Sequence, residues 1–416
     1  MEETERVELL IERMAYRGLG IAHVGGVVCF VPETLPGETV LAEITEKKKN
    51  FWNARAVRVL TPSPDRLAEP DCRVFTQEGF VKTPGCVYDH ATHEAELRFK
   101  QEQLLSFLER QAGLAGAAEA MRPAFASPKS LHYRNKVTLH SARGEGGRNI
   151  LGYVGDDNET VVDIPRCPLS LEPIVDEVLA MREDPAFWRY VGVGSEVVVR
   201  HTKHDGVVVY VNRPGKEEHE SLPPLTEETP ILGHLRVPAR GFWQMNPEVG
   251  GALVEAAMEV VKTEAPQRFV DFYCGVGVFG LSAAKLGVGR VVGADSGRDV
   301  IRTAGANARH FALDGKCDFE CYDVARIANH LLSENSGKAA MVLLDPPRAG
   351  LDPAVVQALL AHPSKTIVYI SCSADTLARD LKLLTLSGSY RLRSARLFDM
   401  FPRTAHFETM TVLERV

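Results

Sequence analysis

Five short apolar runs, each followed by a helical pattern, fill the chain from Arg268 onward. They are RFVDFYC, RVVGAD, CDFECYD, AAMVLLD and KTIVYIS. Strands alternating with helices lead to one architecture, a parallel doubly wound sheet with helices on both faces. Two further runs, YRLRSARLFDMF and HFETMTVLERV, have no helix between them and are expected to add an antiparallel pair. Open sheets of this kind bind ligands at the carboxyl ends of their strands, so the residues there are the first candidates for chemistry.

Two of those strand ends stand out. The run Ile367–Ile370 stops at Ser371-Cys372-Ser373, after which Leu377, Leu381 and Leu384 recur at helical spacing. A free cysteine is usually a small buried hydrophobe. LLDPPRAG before it and FDMFPRTAHFETMTVLER after it point instead to a site. At the other end, Gly275, Gly277 and Gly280 follow the first strand as G-x-G-x-x-G, and Asp295 lies 20 residues beyond Gly275. That spacing supplies a tight turn, a helix amino terminus and an acid for a ribose hydroxyl. It serves a nicotinamide dinucleotide and S-adenosylmethionine equally well. The nicotinamide reading leaves Asp345-Pro346-Pro347-Arg348 and Cys372 without a task, and a methyltransferase reading uses them all.

The rest of the chain resembles a delivery system for that site. At 416 residues it has room for two or three domains. Residues 6–61 alternate short β-rich runs with Gly-Gly and Pro-Gly turns, which reads as a small barrel. Their order resembles a TRAM domain, a small RNA-binding barrel. Lys47, Lys48 and Lys49 stand beside Phe51 and Trp52, pairing charge with stacking surface as single-stranded RNA prefers; a solvated hairpin with two core aromatics is the alternative. Pro62, Pro64 and Pro70 mark a linker. The expected division is a barrel over 1–64, a central β-rich domain over 65–245, and a catalytic domain over 246–416. Within the central part a helix is expected at about 90–112, with Leu97, Leu104, Leu105 and Leu108 on one face, and another around Leu171–Met181. Lys129–His140, with Tyr133 among basic residues, suits a strand touching phosphates and a base or an ordinary half-exposed strand.

Composition excludes more than it selects. No apolar run approaches the roughly 20 residues of a membrane span, and MEETERVELL is not a signal peptide. Eight cysteines scattered over a chain this long do not form a disulfide framework. A cytoplasmic monomer with no membrane association is expected. The net charge of −7 does not advertise a nucleic-acid binder, although local basic patches can act inside an acidic chain.

Taken together, VDFYCGVGVFGLS, LLDPPRAGL, YISCSADTLARD and FDMFPRTAHFETM, with FWQMN before them, look like the RNA uracil-C5 methyltransferase family. The resemblance implies a Rossmann-like fold and S-adenosylmethionine as methyl donor. With the barrel, it is most similar to the branch acting on 23S ribosomal RNA; transfer RNA is the alternative substrate. It further implies that the helix after His90 packs on the catalytic domain. By matching position, Gln244, Tyr273, Gly275, Gly277, Asp295, Asp323 and Asp345 would line the cofactor site. Cys372 would be the nucleophile and Glu408 the base. Such chemistry has a reason to use them: carbon 5 of uracil is a weak nucleophile until a thiolate adds at carbon 6. A carboxylate must then take the carbon 5 proton. His406, two residues from Glu408, is expected to share its strand face.

The sequence departs from the family in three places. Cys72, Cys86 and Cys167 fall where three ligands of a [4Fe–4S] cluster would be, but Thr83 occupies the place of the fourth, and a stable four-cysteine cluster is not expected. Val278 replaces a polar residue of the glycine loop, and Ser373-Ala374 replaces Asn-Pro. Rival readings are a cytosine-C5 methyltransferase, which keeps its cysteine in a Pro-Cys context, and an N6-adenine methyltransferase, which has an aromatic where Arg348 stands. An RNA-binding protein that has lost catalysis and a dinucleotide oxidoreductase complete the set.

Overall fold

The computed structural model describes residues 5–76, 79–155, 157–215, 222–337 and 339–416. Its N-terminal part is a six-stranded sheet. The two edge strands, Arg6–Leu10 and Arg13–Ala15, are separated in the chain by only Ile11 and Glu12. Edges that lie two residues apart force the sheet to curl, and the barrel expected from the sequence follows. Leu9, Ile11, Cys29, Val31, Val40 and Ala42 fill its centre. On the outside, the Lys47 ammonium sits 4.2 Å over the Trp52 ring and Lys48 5.4 Å over Phe51.

A five-stranded antiparallel sheet (order 161–163, 149–154, 136–143, 196–202, 206–212) forms the middle of the molecule. Val137, Leu139, Val197 and Val199 alternate toward Ile174, Val178 and Met181 of a covering helix. The helix expected around Leu171–Met181 spans Glu172–Glu183, and a second helix, Pro185–Val191, follows it: Asp184 caps that one through the Ala186 N–H while Pro185 opens it. The strand within Lys129–His140 begins only at Lys136. Before it, Tyr133 is buried and donates its hydroxyl to the Pro402 carbonyl at 2.9 Å, so its ring has no face for a base.

The catalytic sheet has seven strands in the order 317–321, 290–295, 268–272, 340–344, 366–371, 408–415, 390–398. The first five are parallel and the last two antiparallel, as the sequence pattern requires. The order reverses between Arg268–Phe272 and Ala340–Leu344, which sets the ligand crevice there. Core residues lie on both faces of the sheet, with Val270, Phe272, Val342 and Leu344 on one and Phe269, Val291, Met341 and Leu343 on the other.

The helix expected at about 90–112 spans His93–Ser106 and runs into a wider turn, Phe107–Gln111. Thr92 caps it by accepting the Ala95 N–H at 3.3 Å. Leu104 and Leu108 enter the catalytic core, with Leu97 and Leu105 packed against it. The same helix carries Glu96 and Lys100 fully buried. Burying charge is costly unless it is paired and hydrogen-bonded, and here it is. Lys100 Nζ donates to Glu96 at 2.6 Å, to Asp399 at 2.9 Å and to the Phe401 carbonyl at 3.2 Å. Arg403 reaches Glu96 at 3.4 Å and Asp71 at 2.5 Å, and His93 reaches Asp399 at 2.7 Å. This network holds the segment leading to Glu408.

Candidate active site

Cys372 follows the last residue of the Thr366–Ser371 strand, and Ser373 sits at the N-cap position of the next helix. A local turn fixes it. The Ser373 N–H donates to Ser371 Oγ at 3.1 Å, and that hydroxyl donates to the Ser373 carbonyl at 3.0 Å. Glu408 opens the neighbouring antiparallel strand, whose register pairs Ser371 with Thr409. One step along that register places Glu408 opposite Cys372. The two residues, 36 apart in the sequence, thus meet at the mouth of the crevice.

The electrostatics match a dry, acidic pocket. Burial and then the Glu408 carboxyl push the Cys372 thiol up to about 11, with Arg348 pulling the other way. Burial, reinforced by Asp345, holds Glu408 well above the usual carboxylate range. Burial and Asp295 raise Asp345 to about 7. His406 is lowered to about 4 by burial and by Arg348, so its imidazole is neutral at pH 7. His406 lies before the strand, which starts at Glu408, so period-two alternation does not place it; its ring meets Phe401 edge-on at 6.3 Å.

The loop Asp345–Gly350 is pinned over Cys372 by the helix Ala374–Leu386. Thr376 Oγ1 donates to the Arg348 carbonyl at 3.1 Å, and Arg379 donates to the Ala349 carbonyl at 2.9 Å. Buried Asp380 accepts from the Leu351 N–H and the Tyr369 hydroxyl, both at 2.8 Å. The Arg348 side chain is left exposed beside the thiol.

At the switch point, the glycine loop is shaped for close approach of a ligand. Gly275 and Gly277 have φ of 52° and 84°, and a Cβ on Gly277 would lie 2.8 Å from the Phe319 ring. Tyr273 also has a positive φ, 63°, and is held by its N–H on the Ala294 carbonyl at 2.8 Å. Asp295 accepts the N–H groups of Gly275 at 3.1 Å and Gly297 at 2.8 Å. Asp323 caps the helix Val324–Asn335 and faces the Tyr273 phenol closely enough to help raise its pKa, after burial and Asp352. Gln244 presents a buried Oε1 with no hydrogen-bond partner among the described residues, and so does Asp271 with its Oδ1. Burial raises Asp271 to about 8, and the Gly280 N–H donating at 2.8 Å opposes that. Such orphaned acceptors beside a glycine cradle fit a polar, cationic nucleoside cofactor. The sequence reading missed Asp271, whose position mid-strand gave only the signal of a carboxylate in an apolar run. Val278 packs against the core behind the loop.

Cys72, Cys86 and Cys167 do come together, buried with Tyr133, Ile164 and Leu169. Hydrogen bonding to Cys86, then burial, pushes the Cys72 thiol far up, the opposite of a metal-ready thiolate. The Thr83 hydroxyl is buried beside them with no hydrogen-bond partner among the described residues. Among the described residues no three His, Cys, Asp or Glu side chains are arranged to hold a metal ion. Three thiols and a hydroxyl in an apolar cluster lack the fourth thiolate that a four-cysteine cluster requires.

Comparison with known proteins agrees with this geometry. Residues 232–416 match the family described as tRNA (Uracil-5-)-methyltransferase, and residues 2–57 match the TRAM domain. A 23S rRNA (uracil(1939)-C(5))-methyltransferase RlmD of Shewanella woodyi is 30% identical, the alignment covering 98% of this chain and 96% of that protein. The protein of the same name from Methylococcus capsulatus is also 30% identical, over 99% and 97%. The crystal structure of Pyrococcus abyssi tRNA (uracil-54, C5)-methyltransferase with S-adenosyl-L-homocysteine shares the fold, with a TM-score of 0.73, 24% identity, and 98% and 99% coverage. No helix among the described residues is long and apolar enough to cross a membrane. A Rossmann-like sheet with a shaped glycine cradle, a TRAM barrel, and 30% identity over nearly the full length of two relatives place the chain in the family of S-adenosylmethionine-dependent RNA uracil-C5 methyltransferases.

Proposed function

We propose that the protein methylates carbon 5 of a uridine in 23S ribosomal RNA through a transient bond between Cys372 Sγ and carbon 6. The observation that carries this reading is the register placing Glu408 opposite Cys372 at the crevice mouth. Residues 1–64 act as the RNA-binding barrel, 65–245 as the central domain and 246–416 as the catalytic domain of a cytoplasmic monomer.

Each residue has a definite task. Cys372 loses its proton and adds to carbon 6, which leaves carbon 5 electron-rich. Arg348 favours the thiolate against the burial that opposes it. When bound, S-adenosylmethionine supplies a methyl group on a sulfonium cation. Gln244, Tyr273, Gly275, Gly277, Asp295, Asp323 and Asp345 hold it, and the raised carboxyls ionise as a cation enters. Glu408 then takes the carbon 5 proton, and the electrons of that C–H bond expel Cys372 as thiolate. Burial makes Glu408 a strong base once ionised. The target base must leave its stack to reach the thiol.

The test is mass spectrometry of the protein mixed with S-adenosylmethionine and RNA containing 5-fluorouridine, which has no carbon 5 proton to give up. A stalled adduct on Cys372, absent in Cys372→Ala, is expected. Glu408→Gln should accumulate the same adduct on ordinary RNA. Methylation by Cys372→Ala at the normal rate would overturn the mechanism. Because the family matched over residues 232–416 is named for transfer RNA, ribosomal and transfer RNA are offered separately, and the RNA captured decides the substrate.

A further inference from the structure

The hairpin between Arg13–Ala15 and Leu19–Val24 turns through Tyr16 and Arg17, and it leaves the barrel to reach the catalytic site. Gly18, with φ of 76°, is pressed so close to the next segment that a Cβ there would lie 2.8 Å from Val87. Met14 packs with Tyr88, Ala95 and Phe99. Tyr16 sets its ring edge-on to Phe107 at 5.0 Å and packs on the catalytic core. Its phenol lies within electrostatic range of Cys372, Asp375 and Arg348. The turn is therefore wedged, and its position relative to the thiol is fixed.

Arg17 is the unusual member. Its φ is 71°, a conformation ordinarily left to glycine or asparagine. Its side chain is exposed, and among the described residues its guanidinium makes no hydrogen bond or ion pair. It nevertheless lies in the field of Asp375, Tyr16 and His406. A cation kept in a strained position, without a partner, at the rim of a site that must receive a polyanion has a plain use. Arg348 stands unpaired on the same rim among the described residues.

We propose that this turn completes the substrate site, with Arg17 holding the phosphate of the nucleotide whose base enters beside Cys372. The barrel then supplies a positioning residue at the reacting nucleotide as well as any RNA surface elsewhere. The proposal rests on the uridine-methylation reading above.

Arg17→Gly is the informative variant, since glycine adopts this φ without strain and the turn must survive. Arg17→Gly should keep its melting temperature and its kcat at saturating RNA, while KM for RNA rises about tenfold. The slope of log affinity against log salt should fall by about 0.7, one phosphate contact on a single strand. Arg17→Lys should restore most of the salt slope. An Arg17→Gly enzyme with wild-type KM and wild-type salt slope would overturn the proposal. Failure of the wild-type protein to form a 5-fluorouridine adduct would instead overturn the reading beneath it, and the two failures are read from separate samples.

Discussion

Lys100 and Asp399, 299 residues apart in the chain, form a fully buried ion pair at 2.9 Å. It joins a helix that precedes the central sheet to the segment that delivers Glu408. The pair compensates charges that neither partner could bury alone, because Lys100 also holds Glu96 and the Phe401 carbonyl.

Removing the cation should therefore be severe. Lys100→Met leaves Glu96 and Asp399 buried without their shared partner and should cost about 3–5 kcal/mol. Urea denaturation measures it. A loss below about 1 kcal/mol would show that water or Arg403 replaces the ammonium.

The pH profile follows from the thiol. With Cys372 pushed up to about 11, the reactive thiolate is a small fraction at neutral pH. Single-turnover methylation should rise with pH by close to tenfold per unit between about pH 7 and 9. Glu408, also active only when ionised, acts in the same direction. A flat profile would mean that bound RNA deprotonates the cysteine before chemistry.

Asp271 makes the opposite kind of prediction, one about stability. Its folded pKa of about 8 lies above the usual value of 3.8, so the unfolded chain gives up the proton first as pH rises. Its contribution is fully present below about pH 4 and is lost through about pH 8, with a slope of at most about 1.4 kcal/mol per unit. Asp271→Asn can still accept the Gly280 N–H. It should match wild type at about pH 3 and exceed it at pH 8 in chemical denaturation. Equal stability of the two proteins at pH 8 would mean that the Asp271 carboxyl ionises in the folded state at no cost.

Iron should be dispensable. Three buried thiols and Thr83 form a packed cluster without metal geometry among the described residues. Protein purified without oxygen and then treated with a chelator should keep its melting temperature within about 1 °C and keep its methylation rate. A large drop in melting temperature with release of iron would show that these cysteines hold a metal.

Much of this was legible in the sequence, because short-range signals carried it. Strand–helix alternation from Arg268, the glycines at 275 and 277, and the abrupt stop at Cys372 are all local patterns, and the seven-stranded sheet follows them. What escaped depends on long-range packing. Around Tyr133 the sequence suited a base-contacting strand and an ordinary half-exposed one alike; in the fold its hydroxyl is taken by Pro402, 269 residues away. Glu96 and Lys100 are buried with Asp399, whose approach from 299 residues along the chain no local pattern reports. His406 and Glu408 share a spacing that alternation would place on one face, but the strand does not begin until Glu408. Arg17 gave no signal, since nothing local says that a barrel turn will meet a thiol.

The strand Glu408–Arg415 enters the sheet between Thr366–Ser371 and Tyr390–Phe398, two strands made before it. During synthesis, therefore, residues 268–345 can complete the methyl-donor cradle while the sheet still has an open slot beside Cys372. A chain that ends before Glu408 contains Cys372 but not the carboxylate that the strand sets opposite it. Insertion of that strand closes the sheet and, on the mechanism proposed above, brings base and thiol together in the same event.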